Sequence, residues 1–308
     1  MKNSVPRKQH FLPKFYLKEF SRGGLEHSRL VITDLQLGKQ YQSSPRKAGF
    51  ERDYYTLDSD DPYELEREFA RLEGLIAPWY HAAIRQKTLL SPEHLAVLLR
   101  FVAILTIRTP GIRRIVMWAL AKDTKAKLQR IAESPELYAE LEKMLGAEGA
   151  PSLPAREELL EHLPSGKVNV EPDQTELIRQ TLHVYEHIDK LLNERRWSLA
   201  VIENGDSKFV TSDTPLLLGA DLNPKPGVFL QFGLPHRQIF VPLSSDVALV
   251  SRDEPPAILT AAREHVATVN GQVSAAARFL YSSSEGFDIL TQQGIMNSSE
   301  LLTRIRAE

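Results

Sequence analysis

The chain has 308 residues, long for one domain and short for two, and at that size a core needs no disulfide or metal staple. Hydrophobic residues make up 42% and charged residues 25%, and a net charge of -2 draws the whole molecule toward neither nucleic acid nor anionic lipid. There is no cysteine, which excludes disulfides, thiolate metal sites and a cysteine nucleophile, and agrees with a reducing, cytoplasmic setting.

The amino terminus is basic with no apolar run behind it, so it does not read as a secretory signal. Residues 1–60 read as an extended arm and then a small hairpin. Leu30–Leu35 is β-branched and alternating, Gly38-Lys39 offers the turn, and Gln40–Ser43 returns. Asp58-Ser59-Asp60-Asp61-Pro62 reads as a helix start, acidic at its amino end with proline in the first turn. Leu65, Phe69, Leu72, Leu75 and Ile76 then recur at helical spacing. Ser91 caps the next helix, and its apolar stretch Leu95–Ile107 is too short to span a bilayer, so it reads as a buried helix ending near Arg108-Thr109-Pro110-Gly111. A helix over 112–132 follows, then a shorter one from Ser134-Pro135. A Gly- and Pro-rich connection at 146–174 is the expected mobile part, with a short helix at 155–163 and a longer one at 175–195.

Strand signals then take over. Trp197–Ile202 and Lys208–Thr211 read as a hairpin around Asn204-Gly205-Asp206, with Trp197, Leu199 and Val201 on one face. Leu216–Leu218, Gln238–Pro242 and Val247–Val250 add short strands, and a long helix is expected from Pro256 to Tyr281. Helices early and strands late give an α+β fold, a helix-rich middle region (61–195) packed against a small, mostly antiparallel sheet (196–308), in one domain.

Several residues carry candidate chemistry. His183-Val184-Tyr185-Glu186-His187 matches H-x-x-E-H, the inverted zincin pattern of zinc peptidases. Its two histidines fall opposite the stripe of Leu177, Ile178, Thr181, Tyr185, Ile188 and Leu192, on a solvated face, so no metal is assigned to them. Asp213, between Ser212 and Thr214, sits at a strand end where a carboxylate can act as base or ligand; its bland alternative is a turn. His10 lies among Phe11, Phe15, Tyr16 and Phe20, an aromatic arm suited to docking on a core. Arg108, at a helix carboxyl end, is either a partner of the helix dipole or an anion clamp. Asn270 borders the apolar stripe of the last long helix and needs partners if buried. No Walker A loop, G-x-G-x-x-G or G-x-S-x-G elbow is present, which argues against nucleotide binding through those loops and against α/β-hydrolase chemistry.

Lys8-Gln9-His10-Phe11-Leu12-Pro13, followed by Tyr16-Leu17 and Phe20, resembles the opening signature of a family of unknown function, DUF4238. Phe50–Thr56, Arg108-Thr109-Pro110, Phe209–Pro215 and Asn270 follow in the order of that family's landmarks. The resemblance implies one family over nearly the whole chain and carries no catalytic assignment.

The leading expectation is a hydrolase-like site with His10 as acid or base, Asp213 as base or ligand and Arg108 as anion clamp, and with Asn270, Thr214 and Tyr16 as binding residues. Its substrate would be a phosphate ester or nucleic acid, with no cofactor and no membrane. The rival is a noncatalytic binding or regulatory module whose landmarks are structural. Convergence of the polar groups in a cleft favours the first; pairing with main chain favours the second.

Overall fold

The structure, a computed structural model, describes residues 7–88, 90–147, 152–165, 167, 169–203, 205–218 and 238–305. In chain order these form β1 (Lys8–His10), α1 (Lys14–Leu17), β2 (Leu30–Asp34), β3 (Lys39–Ser43), β4 (Phe50–Arg52), α2 (Glu64–Gln86), α3 (Pro92–Ile107) and α4 (Pro110–Glu133). Then come α5 (Pro135–Ala147), α6 (Arg156–His162), α7 (Gln174–Asn193), β5 (Arg196–Val201), β6 (Thr211–Ser212), β7 (Leu217–Leu218), β8 (Ile239–Pro242) and β9 (Val247–Arg252). The chain closes with β10 (Ile258–Thr260), α8 (Arg263–Ala276), β11 (Phe279–Ser282), β12 (Asp288–Thr291), β13 (Gly294–Asn297) and α9 (Ser298–Ile305). The fold is α+β, with mostly antiparallel sheets. It divides into two compact units, one of Met1–Ile112 with Thr181–Glu308 and one of Arg113–Gln180.

The first unit is organised by a five-stranded sheet in the order β10-β5-β9-β8-β7. Its inner strands are almost continuously apolar, because both faces are covered. Side chains alternate along a strand, so Trp197, Leu199, Val201, Val247 and Leu249 enter one core with the arm, α2 and α3. Ala200, Ala248 and Val250 enter a second core with α8 and β12. Each large apolar side chain buried this way contributes about 1.5–3 kcal/mol before entropy is counted. A four-stranded sheet, β3-β2-β11-β6, continues the same two-sided burial: Leu30, Ile32 and Tyr281 join the first core and Leu280 the second.

The amino-terminal arm is held by hydrogen bonds and packing. β1 pairs antiparallel with β4, His10 opposite Phe50, and the Phe11 and Leu12 amides both donate to the Gly49 carbonyl at 2.9 and 3.1 Å. Gly49 has φ +63°, and a Cβ there would lie 2.8 Å from the Leu12 Cβ and 3.0 Å from the Leu17 Cδ1, so only glycine fits. Past the arm, the Ser91 hydroxyl accepts from the His94 amide at 3.3 Å and caps α3, whose Leu98–Ile107 stretch is buried except at Arg100. α2 begins later than its acidic signal: Tyr63 stands at the cap position with no side-chain bond, and Pro62 precedes the helix instead of entering its first turn.

Two expectations are corrected. Trp197–Ile202 and Lys208–Thr211 form no hairpin; Asn204 of the expected turn lies outside the described residues. β5 pairs antiparallel with β9 and parallel with β10, and β6 pairs antiparallel with β11. The main chain of 208–210 is taken by side-chain and loop partners: the Asn270 side chain bonds the Lys208 carbonyl and the Val210 amide, and the Phe209 amide donates to the Ser245 carbonyl. The long helix at 256–281 is also three elements: β10, α8 and β11. Ala262 (ψ 164°) and Ala277 (ψ 157°) bound α8 with extended backbone. Short apolar runs on either side fit a helical period equally well, and only their strand partners decide against it.

The second unit is helical: α4 from Arg113, α5, α6, and α7 as far as Gln180. Ala132, Leu159 and Leu163 form its small core with Leu128, Tyr138 and Leu160 against them. The Ser134 hydroxyl accepts from the Leu137 amide at 3.3 Å, and the Asp173 carboxylate from the Glu176 amide at 2.9 Å, satisfying helix-start donors. Arg113 donates to the Gln174 side-chain oxygen at 3.0 Å within the same unit. The short helix expected at 155–163 is α6. Of the connection expected to be mobile, residues 148–151, 166 and 168 lie outside the described residues.

Candidate functional site

Arg108 is the centre of a buried polar cluster in the first unit. It follows the last residue of α3, where the helix leaves its final carbonyls exposed to a cation. The side chain is only 2% exposed. Its Nη1 donates to the Glu73 carboxylate at 2.6 Å, its Nε to the Tyr55 hydroxyl at 3.2 Å and its Nη2 to the His10 main-chain carbonyl. The guanidinium also lies 4.5 Å from the Phe69 ring centroid and 5.5 Å from that of Tyr55. Burial works against its charge, but Tyr55 and Glu73 more than offset that and raise its pKa. Conversely, burial is the main reason the Tyr55 hydroxyl is raised above its ordinary value.

His10 supplies more than its carbonyl. Its imidazole lies 5.5 Å from the Phe50 ring, with Nε2 buried and without a hydrogen-bond partner among the described residues. Burial lowers the pKa to about 4, with the Lys14 ammonium next in effect, and the Arg46 main chain offsets only part of this. The ring is therefore neutral at pH 7. Glu66 is a second unsatisfied group: Oε2 is buried without a hydrogen-bond partner among the described residues, and burial raises its pKa against the opposing pull of Arg108. The structure thus brings together His10 and Arg108 with three groups that the motif reading missed, Tyr55, Glu66 and Glu73. A signal for two of them was present. Glu66, Phe69 and Glu73 stand at i, i+3 and i+7 on α2, which puts both carboxylates on the face that carries the buried Phe69.

Asp213 and Asn270 are engaged elsewhere, by main chain. The Asp213 carboxylate accepts from the Arg278 and Phe279 amides at 3.1 and 3.2 Å, while its own amide donates to the Phe279 carbonyl at 3.1 Å. The side chain so extends the β6–β11 ladder beyond Ser212. Asn270 is fully buried; its Oδ1 accepts from the Val210 amide at 3.0 Å, and its Nδ2 donates to the Lys208 and Asp288 carbonyls, both at 2.9 Å. One side chain ties α8 to the segment before β6 and to β12.

Tyr16 and Thr214 complete the expected set. The buried Tyr16 hydroxyl donates to the Pro242 carbonyl at 2.9 Å and stands 2.6 Å from the Thr211 hydroxyl, which then supplies the second proton. It joins β8 of the larger sheet to β6 of the smaller. The Thr214 amide donates to the Ser212 hydroxyl at 3.0 Å, a local turn. A Cβ added to Gly111 would lie 3.6 Å from the Thr214 Oγ1, so Thr214 sits close behind the residues that follow Arg108. On α7, His183, Glu186 and His187 are all exposed, opposite buried Ile188 and Leu192. Among the described residues no group of three His, Asp or Glu side chains is arranged to hold a metal ion.

Comparison with known families matches residues 8–286 to "Protein of unknown function (DUF4238)". The chain belongs to this family. The match opens at the first residue of β1 and closes just before β12, so it takes in the arm, the Arg108 cluster and both main-chain ties. No curated protein and no solved structure matches the chain. No single helix among the described residues is long and apolar enough to cross a membrane.

Proposed function

We propose that this family member is a noncatalytic binding or regulatory module. The observation that carries the reading is the engagement of its polar landmarks. The Asp213 Oδ1 accepts two main-chain amides, Asn270 bonds three main-chain groups, and Arg108 is buried against Glu73, Tyr55 and the His10 carbonyl. An arginine 2% exposed, with each of its three nitrogens already donating within the protein, is poorly placed to clamp a substrate anion. Catalytic carboxylates, in contrast, need free lone pairs directed at the reacting group.

The competing reading, a hydrolase acting on a phosphate ester or nucleic acid, draws on one observation: the neutral imidazole of His10 with its unpartnered Nε2. Incubating the purified chain with bis(p-nitrophenyl) phosphate and with a labelled single-stranded oligonucleotide, with and without added Mg²⁺, Mn²⁺ or Zn²⁺, separates the two. The module reading expects no turnover above that of a His10→Gln variant. Turnover in the wild type that disappears in a correctly folded His10→Gln variant would overturn it.

A further inference from the structure

The second unit carries a charged face that the polar landmarks do not use. Between Arg113 and Glu133, α4 holds six basic residues (Arg113, Arg114, Lys122, Lys125, Lys127 and Arg130) against two acidic ones, Asp123 and Glu133. Both acids are already engaged: Asp123 pairs with Lys127 at 2.6 Å, and Glu133 accepts from the Gln129 amide group at 3.1 Å. Arg114, Lys122 and Lys125 have no acidic partner among the described residues.

The geometry along the helix adds a ring to the charge. Arg114, Trp118 and Lys122 are four residues apart, so they share one face at intervals of about 6 Å, and Lys125 falls on the same face one turn further. Trp118 is 62% exposed, an unusual position for the largest apolar side chain, and the Lys122 ammonium lies 5.1 Å from its ring centroid. An exposed indole flanked by unpaired cations fits a ligand with alternating flat rings and negative charges. Single-stranded nucleic acids have that pattern, with bases that stack on aromatic side chains and phosphates that pair with lysine and arginine.

We propose that the α4 face bearing Arg114, Trp118, Lys122 and Lys125 binds single-stranded nucleic acid without base specificity. The inference deepens the module reading by naming its ligand class. A bilayer would also attract cations, but the face itself offers one exposed indole, and the unit's other large exposed apolar side chains are not aligned with it: Met117 lies about a quarter turn round α4, and Leu137 and Met144 lie on α5.

The test uses the full chain and fluorescein-labelled oligo(dT) in anisotropy titrations, with duplex DNA and phosphatidylserine vesicles in parallel. Binding at 50 mM salt should weaken about twentyfold by 200 mM, as three phosphate contacts imply. Trp118→Ala should weaken it about tenfold or more, and Arg114→Glu with Lys122→Glu should abolish it, with circular dichroism unchanged because all three side chains are exposed. No oligonucleotide binding at 50 mM salt, binding indifferent to these variants, equal affinity for duplex, or binding to vesicles alone would each overturn the proposal. Failure here is distinct from failure of the module reading. An oligonucleotide bound but cut defeats that reading and spares this inference, and one neither bound nor cut does the reverse.

Discussion

At the residue scale, Arg108 shows how a charge is tolerated inside the first unit. The cost of removing a guanidinium from water is offset by one carboxylate, one phenol, one carbonyl and two aromatic rings. Such a group is worth less than the loss caused by breaking it, because its partners are left unsatisfied. Arg108→Met should therefore lower the unfolding free energy by about 3 kcal/mol in urea titrations. Adding Glu73→Leu should recover part of that loss, since the carboxylate no longer lacks its cation. A change in the single variant of less than about 0.5 kcal/mol would mean that the cluster does not hold the arm to α3.

Elements in this fold are joined by single side chains as much as by sheets. Asn270 links α8 to the chain before β6 and to β12 through three hydrogen bonds to main chain, all from a fully buried amide. Its neighbour Gly271 lets α8 approach β12 closely, since a Cβ there would lie 2.7 Å from the Leu290 carbonyl oxygen. Replacing Asn270 with alanine leaves one amide and two carbonyls without these partners, at about 1–3 kcal/mol for each that water does not reach. We expect Asn270→Ala to cost at least about 3 kcal/mol and to speed hydrogen exchange of the Val210 amide. An unchanged exchange rate at Val210 would show that another group holds that segment.

For the molecule as a whole, the arm makes folding sensitive to acid. His10 has its pKa lowered from 6.5 to about 4, chiefly by burial, and His81 is lowered to about 4 for the same leading reason. His81 Nδ1 stands 3.2 Å from the Glu19 carboxylate, itself raised by burial, so at neutral pH the contact joins an uncharged imidazole to a carboxylate. The sign follows from the histidines. Below about pH 6.5 the unfolded chain takes up protons that the folded chain refuses, so stability is complete above that value and falls as pH drops toward 4. The His10 share is at most about 3 kcal/mol. Glu66 and Glu19, with raised values, act in the opposite direction. Urea midpoints measured at pH 7 and pH 4.5 should differ less in a His10→Gln variant than in the wild type; equal differences would remove His10 from the account.

What the sequence determined by itself is what depends on neighbours along the chain. The Ser91 cap, the buried apolar residues of α3 from Leu98 to Ile107, the short helix at Arg156–His162 and the common face of Trp197, Leu199 and Val201 all follow from local period and capping chemistry. Membership of the family was legible for the same reason, in the segment around His10 to Phe20 and in Phe209 to Pro215. The tertiary structure alone decided who pairs with whom. β5 passes over the nearby Lys208–Thr211 and takes β9 and β10, because the 208–210 main chain is claimed by Asn270, some 60 residues away, and by Ser245. Phe279–Ser282 becomes a central strand because β2 and β6 stand on either side of it, which no helical period can report. The candidate site divides in the same way. Arg108 was visible at a helix end, but its partners come from the arm, from Tyr55 and from α2, and burial by all three turns an apparent anion clamp into a closed ion pair.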